Sequence, residues 1–374
     1  MHVDLPSDSE IRALLEHVGT TCVSIYMPAT PQSDDADAER IAFKNLVADV
    51  SARLSADGSD KRERAAIRDA LTDLGDDPYF WRHQANSLAV LATADELHVY
   101  RLANRVDPHV VVADRFFLMP LLRATTYPSA GFVLALAQGS VRLLEFGGDH
   151  GPHEVDVADL PTDIDSFVET LPGGDGSEQW GVLSPDGQRV LLRTYARQVD
   201  RAVRAAVRGH ELPVVLAAAE PLASIFPAVS TLSTLARESI PGSPERVPDH
   251  ELVAAARTVL DGIYAAQTEE LAERYARRAG QGRTATDLAD IARAATYGAV
   301  ETLVVDGHHR VPGTVGADGG LTFGDGPDVT DVVDEIARRV LRSGGRVVVL
   351  RAGEVPGGGE IAALLRYALG RIDG

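Results

Sequence analysis

Between Gln188 and Gly209 six arginines recur at intervals of three or four residues: Arg189, Arg193, Arg197, Arg201, Arg204 and Arg208. At about 100° per residue they fall within an arc of roughly 120°. Leu191, Leu192, Tyr195, Val199, Ala202, Val203 and Ala206 fill the opposite side, so this stretch folds as a helix with one apolar face turned to a core. On the wheel only Asp200 interrupts the arginines, and the segment holds no lysine. Two readings follow: the solvated face of an ordinary amphipathic helix, or a stripe that binds a polyanion. The rest of the chain sharpens the contrast, because 36 Lys and Arg face 55 Asp and Glu, a formal net charge of −19.

That balance excludes a protein that coats nucleic acid along its whole surface and leaves room for one local site. No apolar run approaches the ~20 residues of a membrane span, and the N-terminus lacks the basic start and apolar stretch of a secretory signal. A cytoplasmic protein without a membrane partner is expected. Cys22 is the single cysteine, so an intramolecular disulfide and cysteine-based zinc sites are excluded. Its apolar surroundings predict a small buried side chain. The eleven histidines are scattered without a His-x-x-x-His or His-Glu-x-x-His spacing, and no metal is expected. Asp156, Asp159, Asp163 and Asp165 lack the EF-hand order and read as a solvated acidic loop. Neither a phosphate-binding Gly-Lys-Ser/Thr loop nor a Gly-x-Ser-x-Gly elbow is present, and no cofactor is expected. Gly357-Gly358-Gly359, ahead of a helix expected over 360–369, reads either as a phosphate cradle or, more commonly, as a flexible turn.

At roughly 150 residues per domain, 374 residues predict two or three domains, of mixed α/β (α+β) class. Residues 1–127 show helices over 8–18, 36–54 and 61–74 and strands over 21–27, 86–93, 96–102 and 109–116. Residues 128–280 open on a hairpin, Phe132 to Phe146 about Gln138-Gly139. A long acidic, glycine-rich segment over 158–187 follows, then the arginine helix, a buried strand over 213–219 and a helix over 248–278. Residues 284–374 alternate helix (287–297), strand (300–305), helix (329–341), strand (346–350) and helix (360–369), the pattern of a small α/β sandwich.

Just before the stripe stands Ser184-Pro185-Asp186-Gly187-Gln188. Read alone, Pro-Asp-Gly is an ordinary type I turn, and the flanking apolar residues even allow a hairpin. Read in place, a Gly-Gln pair at the end of a long loop, in the second of three domains and leading into an arginine-lined helix, resembles the class 1 release factors of archaea and eukaryotes and their Pelota relatives. In that family a Gly-Gly-Gln tripeptide reaches the peptidyl-transferase centre and helps water attack the ester of peptidyl-tRNA. The matching positions here are Asp186, Gly187 and Gln188, with Asp186 where the family has its first glycine. Ser24-Ile25-Tyr26-Met27-Pro28, Phe43-Lys44-Asn45-Leu46, Tyr79-Phe80-Trp81, Phe116 to Leu121 and Ala362 to Tyr367 resemble the bacterial branch of the superfamily. Residues 285–369 resemble its third domain, whose fold is shared with kink-turn-binding ribosomal proteins.

The resemblance implies a ribosome-associated, release-factor-like protein. It would enter the A site of a stalled or resting ribosome, with Arg189, Arg193, Arg197, Arg201, Arg204 and Arg208 on phosphates of ribosomal RNA or tRNA. The family's stop-codon reading motifs, Asn-Ile-Lys-Ser and Tyr-x-Cys-x-x-x-Phe, are missing, which implies action without a codon. Gly187 and Gln188 would either hydrolyse peptidyl-tRNA or fill the site without chemistry. The C-terminal domain would meet another part of the ribosome or a protein partner; DNA is not an expected partner. Two other readings stay open from the residues alone: a free RNA-binding or RNA-processing protein using the same stripe, and a stress or signalling protein whose stripe binds an acidic partner.

Overall fold

A computed structural model describes residues 3–18, 21–30, 36–56, 60–126, 130–147, 152–171, 184–208, 212–324 and 330–368. The fold is mixed α/β, and the chain divides into two compact units: residues 128–263, and residues 2–127 together with 264–374.

The chain opens with α1 (Asp8–Glu16), started by a capping box in which Ser7 and Glu10 satisfy each other's backbone amides. Then come β1 (Cys22–Pro28), α2 (Ala36–Ala56), α3 (Lys61–Asp76), α4 (Pro78–Trp81), β2 (Ser87–Ala92), β3 (Leu97–Leu102), β4 (His109–Ala113) and α5 (Met119–Thr126). The four strands form an antiparallel sheet in the order β3-β2-β1-β4. Strand alternation divides its side chains. Val23, Ile25, Met27, Leu88 and Val90 pack against Phe43, Val50, Ile67 and Trp81 of the helices on one face. Cys22, Tyr26, Ala89 and Leu91 point to the other. Cys22 is buried and free, the apolar role its sequence context predicts.

The middle of the chain contains β5 (Ala130–Leu136), β6 (Val141–Gly147), β7 (His153–Glu154), α6 (Ile164–Glu169), α7 (Pro185–Ala206), β8 (Val214–Ala218), α8 (Leu222–Val229), β9 (Ile240–Pro241) and α9 (Asp249–Ala279). Its five-stranded sheet runs β7-β6-β5-β8-β9. The expected hairpin is β5–β6, antiparallel, while β5–β8 and β8–β9 are parallel. This is the mixed sheet with a long basic helix that the sequence predicts. The segment over 158–187 is only partly a loop. Asp163 is spent on the N-cap of α6, accepting from Ser166 N at 2.7 Å, and residues 172–183 lie outside the described residues, with them the leading arm of the alternative hairpin.

The last part holds β10 (Thr284–Ala285), α10 (Leu288–Thr296), β11 (Val300–Asp306), β12 (Pro312–Val315), β13 (Leu321–Phe323), β14 (Thr330–Asp331), α11 (Val332–Arg342), β15 (Arg346–Leu350) and β16 (Ile361–Leu365). A sheet ordered β10-β16-β11-β15 lies between layers. Val304, Val348, Ala362 and Leu364 meet Leu271 of α9, and Leu303, Val305 and Ala363 face the side of α10 and α11. The expected α/β sandwich is therefore present. One expectation fails: the helix over 360–369 is the strand β16, antiparallel to β11. Ile361 to Leu365 are all buried, and a five-residue stretch with no polar face fits a strand covered on both sides. Gly357 and Gly358, at φ +93° and +76°, thus form a turn before a strand, and no helix N-terminus is there to cradle a phosphate. The short strands β12 and β13 and the helices α5 and α8 carried too few periodic residues to be read beforehand.

The core of this second unit is continuous between its two stretches of chain. Leu14, Leu15, Phe116 and Leu121 share one apolar cluster with Ile291, Val333, Ile336 and Val340. Two buried ionic side chains sit in the seam: Asp334 accepts from the amides of Leu118 and Met119 at 3.0 Å each, and Arg338 donates to Leu15 O at 2.9 Å and Phe116 O at 3.3 Å.

Candidate nucleic-acid interface

Helix α7 begins at the residues that resemble the family's tripeptide. Ser184 is its N-cap and accepts from Gly187 N at 3.3 Å, and Pro185 takes the first helical position, where its missing N–H costs no hydrogen bond. Asp186 follows in the first turn, where the helix dipole favours a carboxylate. The cap, the proline and the acid act together. Asp186, Gly187 and Gln188 therefore lie in the first turn of α7 rather than at the summit of a turn or hairpin. Gly187 is helical and absent from the positive-φ residues.

The apolar side of α7 is fixed firmly. Leu192, Tyr195, Ala196, Val199, Ala202 and Val203 are buried. Tyr195 Oη donates to Ala137 O at 3.0 Å at the β5–β6 turn, and its ring meets Phe167 at 5.7 Å between centroids. Burial pushes the Tyr195 phenol up from its ordinary value, so it stays a neutral donor. These contacts set the rotation of the helix and turn its other side outward. Arg189, Arg193, Arg197, Arg201, Arg204 and Arg208 are all exposed. Arg201 donates to Gln198 Oε1 at 3.2 Å and Arg204 to Thr231 Oγ1 at 2.8 Å, both neutral acceptors. Among the described residues none of the six has a carboxylate at ion-pair distance. The stripe keeps its full charge on the surface of an acidic protein.

Asp200 does not interrupt that stripe. It is 4% exposed and accepts from Ser230 Oγ at 2.7 Å, Thr231 Oγ1 at 2.9 Å and Thr231 N at 3.1 Å. The helical wheel sees only spacing and puts Asp200 beside Arg193. Two turns further along the axis, the chain leaving α8 covers that edge of the helix. Ser230 and Thr231 were missed in the sequence, where nothing marks them out from other hydroxyl pairs after a helix.

The second unit holds a cavity of about 200 Å³ lined by His109, Phe117, Arg310, Asp331 and Asp334 among others. Burial, then the neighbouring Arg310 and Arg53 charges, hold the His109 imidazole down at about 4. Nothing along the chain marks this cavity, since its walls come from both stretches of the unit.

Residues 128–266 match the family described as bacterial archaeo-eukaryotic release factor family 11. The match covers the middle segment of the chain. No curated protein matches the chain by sequence. Among solved structures, the chain is similar to Dom34 of S. cerevisiae, a translation termination-like factor, at 13% identity over 73% of each chain with a TM-score of 0.43. It is similar to an archaeal Pelota from a ribosome-bound assembly with ABCE1, at 14% identity over 98% of this chain and 96% of that one, TM-score 0.40. It is also similar to the archaeal termination factor aRF1, at 14% identity over 97% of this chain and 99% of that one, TM-score 0.25. The matched segment contains the hairpin, the mixed sheet and all of α7, so the family match and the arginine stripe coincide.

Proposed function

We propose that the release-factor segment acts at the ribosome, entering the A site of stalled or resting ribosomes without reading a codon, and that the six arginines of α7 hold phosphates of ribosomal RNA or tRNA. In this reading residues 1–127, 128–280 and 284–374 serve as three functional modules of a cytoplasmic protein, the last meeting a ribosomal or protein partner. The observation that carries it is the exposure of Arg189, Arg193, Arg197, Arg201, Arg204 and Arg208 along one side of a helix anchored on its other side. A helix fixed in this way presents its charges without reorganisation, and phosphate contacts supply most of the affinity of such interfaces. The family match over the same residues supports the ribosome over an acidic protein or a free RNA as the polyanion.

Within this reading, Asp186-Gly187-Gln188 occupies its site without hydrolysing peptidyl-tRNA. Two observations favour occupancy: the tripeptide is the capped start of a helix, and a carboxylate stands at its first position. Hydrolysis is the competing reading, told apart by peptide release from ribosome-bound peptidyl-tRNA.

The test is co-sedimentation with ribosomes in a sucrose gradient. The wild-type protein is expected in the ribosomal fractions, and the variant Arg193→Glu/Arg197→Glu/Arg201→Glu at the top of the gradient with an unchanged circular dichroism spectrum. Equal sedimentation of the two proteins overturns the role of the stripe. Binding to isolated tRNA with no ribosome association would favour the free RNA-binding reading.

A further inference from the structure

His17, at the C-terminal cap of α1, and Glu96 and His98, at the start of β3, converge although they are distant in the chain. His17 Nε2 lies 3.1 Å and His98 Nε2 3.0 Å from the same oxygen, Glu96 Oε2, and the three donor atoms all fall within 4.8 Å of one another. Around a four-coordinate ion with bonds of about 2.0–2.1 Å, ligand atoms stand roughly 3.3–3.4 Å apart, so each of these two separations needs to open by only a few tenths of an ångström.

The surroundings hold the two rings ready. Both imidazoles lean edge-on against the buried Phe116, at 5.5 Å for His17 and 6.4 Å for His98, so an apolar wall orients them towards the carboxylate. The end of α1 presents the negative pole of a helix dipole, which favours a cation. The side chains of His17 and His98 are 27% and 29% exposed and that of Glu96 49%, which leaves a fourth position open to water and a path for entry. A pair of imidazoles with one carboxylate suits a borderline divalent ion of the zinc class over calcium or magnesium, which take oxygen ligands.

We propose that His17, Glu96 and His98 bind one divalent transition-metal ion of the zinc class, which ties the end of α1 to the β2–β3 hairpin. This departs from the expectation of no metal, which rested on local spacings. The three ligands come from separate elements, and only Glu96-Leu97-His98 is contiguous.

The full chain is stripped with a chelator, and Zn²⁺ binding is measured by calorimetry and Co²⁺ binding by visible absorption. One ion per chain is expected, with the cobalt bands of a four-coordinate site. His98→Gln and Glu96→Gln should each weaken zinc binding at least about 100-fold, since loss of even an outer-shell partner costs 10–100-fold. His250→Gln, an exposed histidine in the other unit, should bind as the wild type does. Zinc should raise the thermal midpoint of the wild type and leave that of His98→Gln unchanged, while the two metal-free proteins melt alike. His17→Gln serves as the third ligand test. Wild-type protein that binds no zinc at micromolar concentration overturns the proposal. So does a tightest site that survives both His17→Gln and His98→Gln, or one lost equally in His250→Gln.

Discussion

Thr231 Oγ1 donates to Asp200 Oδ2 at 2.9 Å while accepting from Arg204 Nη1 at 2.8 Å. This relay draws an acid that spacing puts among the arginines beneath the surface and orients one arginine above it. It also makes Asp200 a stability residue. Asp200→Ala removes the acceptor shared by the half-buried Ser230 and the exposed Thr231, whose donors water can reach, and should lower unfolding free energy by about 1 kcal/mol, read from a denaturant midpoint. Asp200→Asn keeps an acceptor and should lose less. Both variants should still co-sediment with ribosomes if binding uses only the exposed face.

Ribosome association should weaken steeply with salt. If all six arginines neutralise phosphates, the plot of log K against log salt should have a slope of roughly −4 to −5. Each Arg→Gln change on the stripe should then flatten the slope by about one phosphate's share. A wild-type slope near zero would remove phosphate contact as the source of affinity.

Helix α7 was legible because its apolar and basic residues repeat with the helical period over many turns: Leu192, Tyr195, Val199, Ala202 and Val203 are buried and the six arginines exposed, with Asp200 the exception. The β5–β6 hairpin was legible for the same reason at period two. Ile361 to Leu365 was not, because five apolar residues fit either period until length and coverage decide between them. Asp200 and the union of Leu14 with Ile336 in one cluster share a different cause: both depend on which distant element arrives, and spacing along the chain holds no record of it. The conformation at 186–188 was not legible, since Pro-Asp-Gly serves a turn and a helix start equally well.

Acid should weaken the second unit through His109. With its folded value held at about 4 against about 6.5 in the unfolded chain, the unfolded state binds the proton first between these limits. The contribution of His109 is therefore fully present above pH 6.5 and falls as pH drops towards 4. Asp334 works in the opposite sense. Burial pushes it up to about 7, so its contribution is present at low pH and falls as pH rises from about 4 to 7. The two are separable by substitution: His109→Gln should lose less stability than the wild type between pH 7 and 5, and Asp334→Asn should lose less between pH 5 and 7.5. A side-chain titration of His109 by NMR with a midpoint near 6.5 would contradict the first half.

The tripeptide can be tested apart from the stripe. Gly187 has helical backbone, so Gly187→Ala should be tolerated and should stabilise the first turn by up to about 1 kcal/mol, with ribosome association unchanged. On the occupancy reading, wild type, Gly187→Ala and Asp186→Gly all bind ribosomes loaded with peptidyl-tRNA, and none releases peptide above the spontaneous rate. Hydrolysis predicts a different set. Positioned water and backbone amides facing the developing oxyanion would give release by the wild type. Asp186→Gly would raise release if the carboxylate at position 186 hinders the attack. Release by either protein, lost in a Gln188→Ala variant that still sediments with ribosomes, would replace occupancy with catalysis as the role of the first turn of α7.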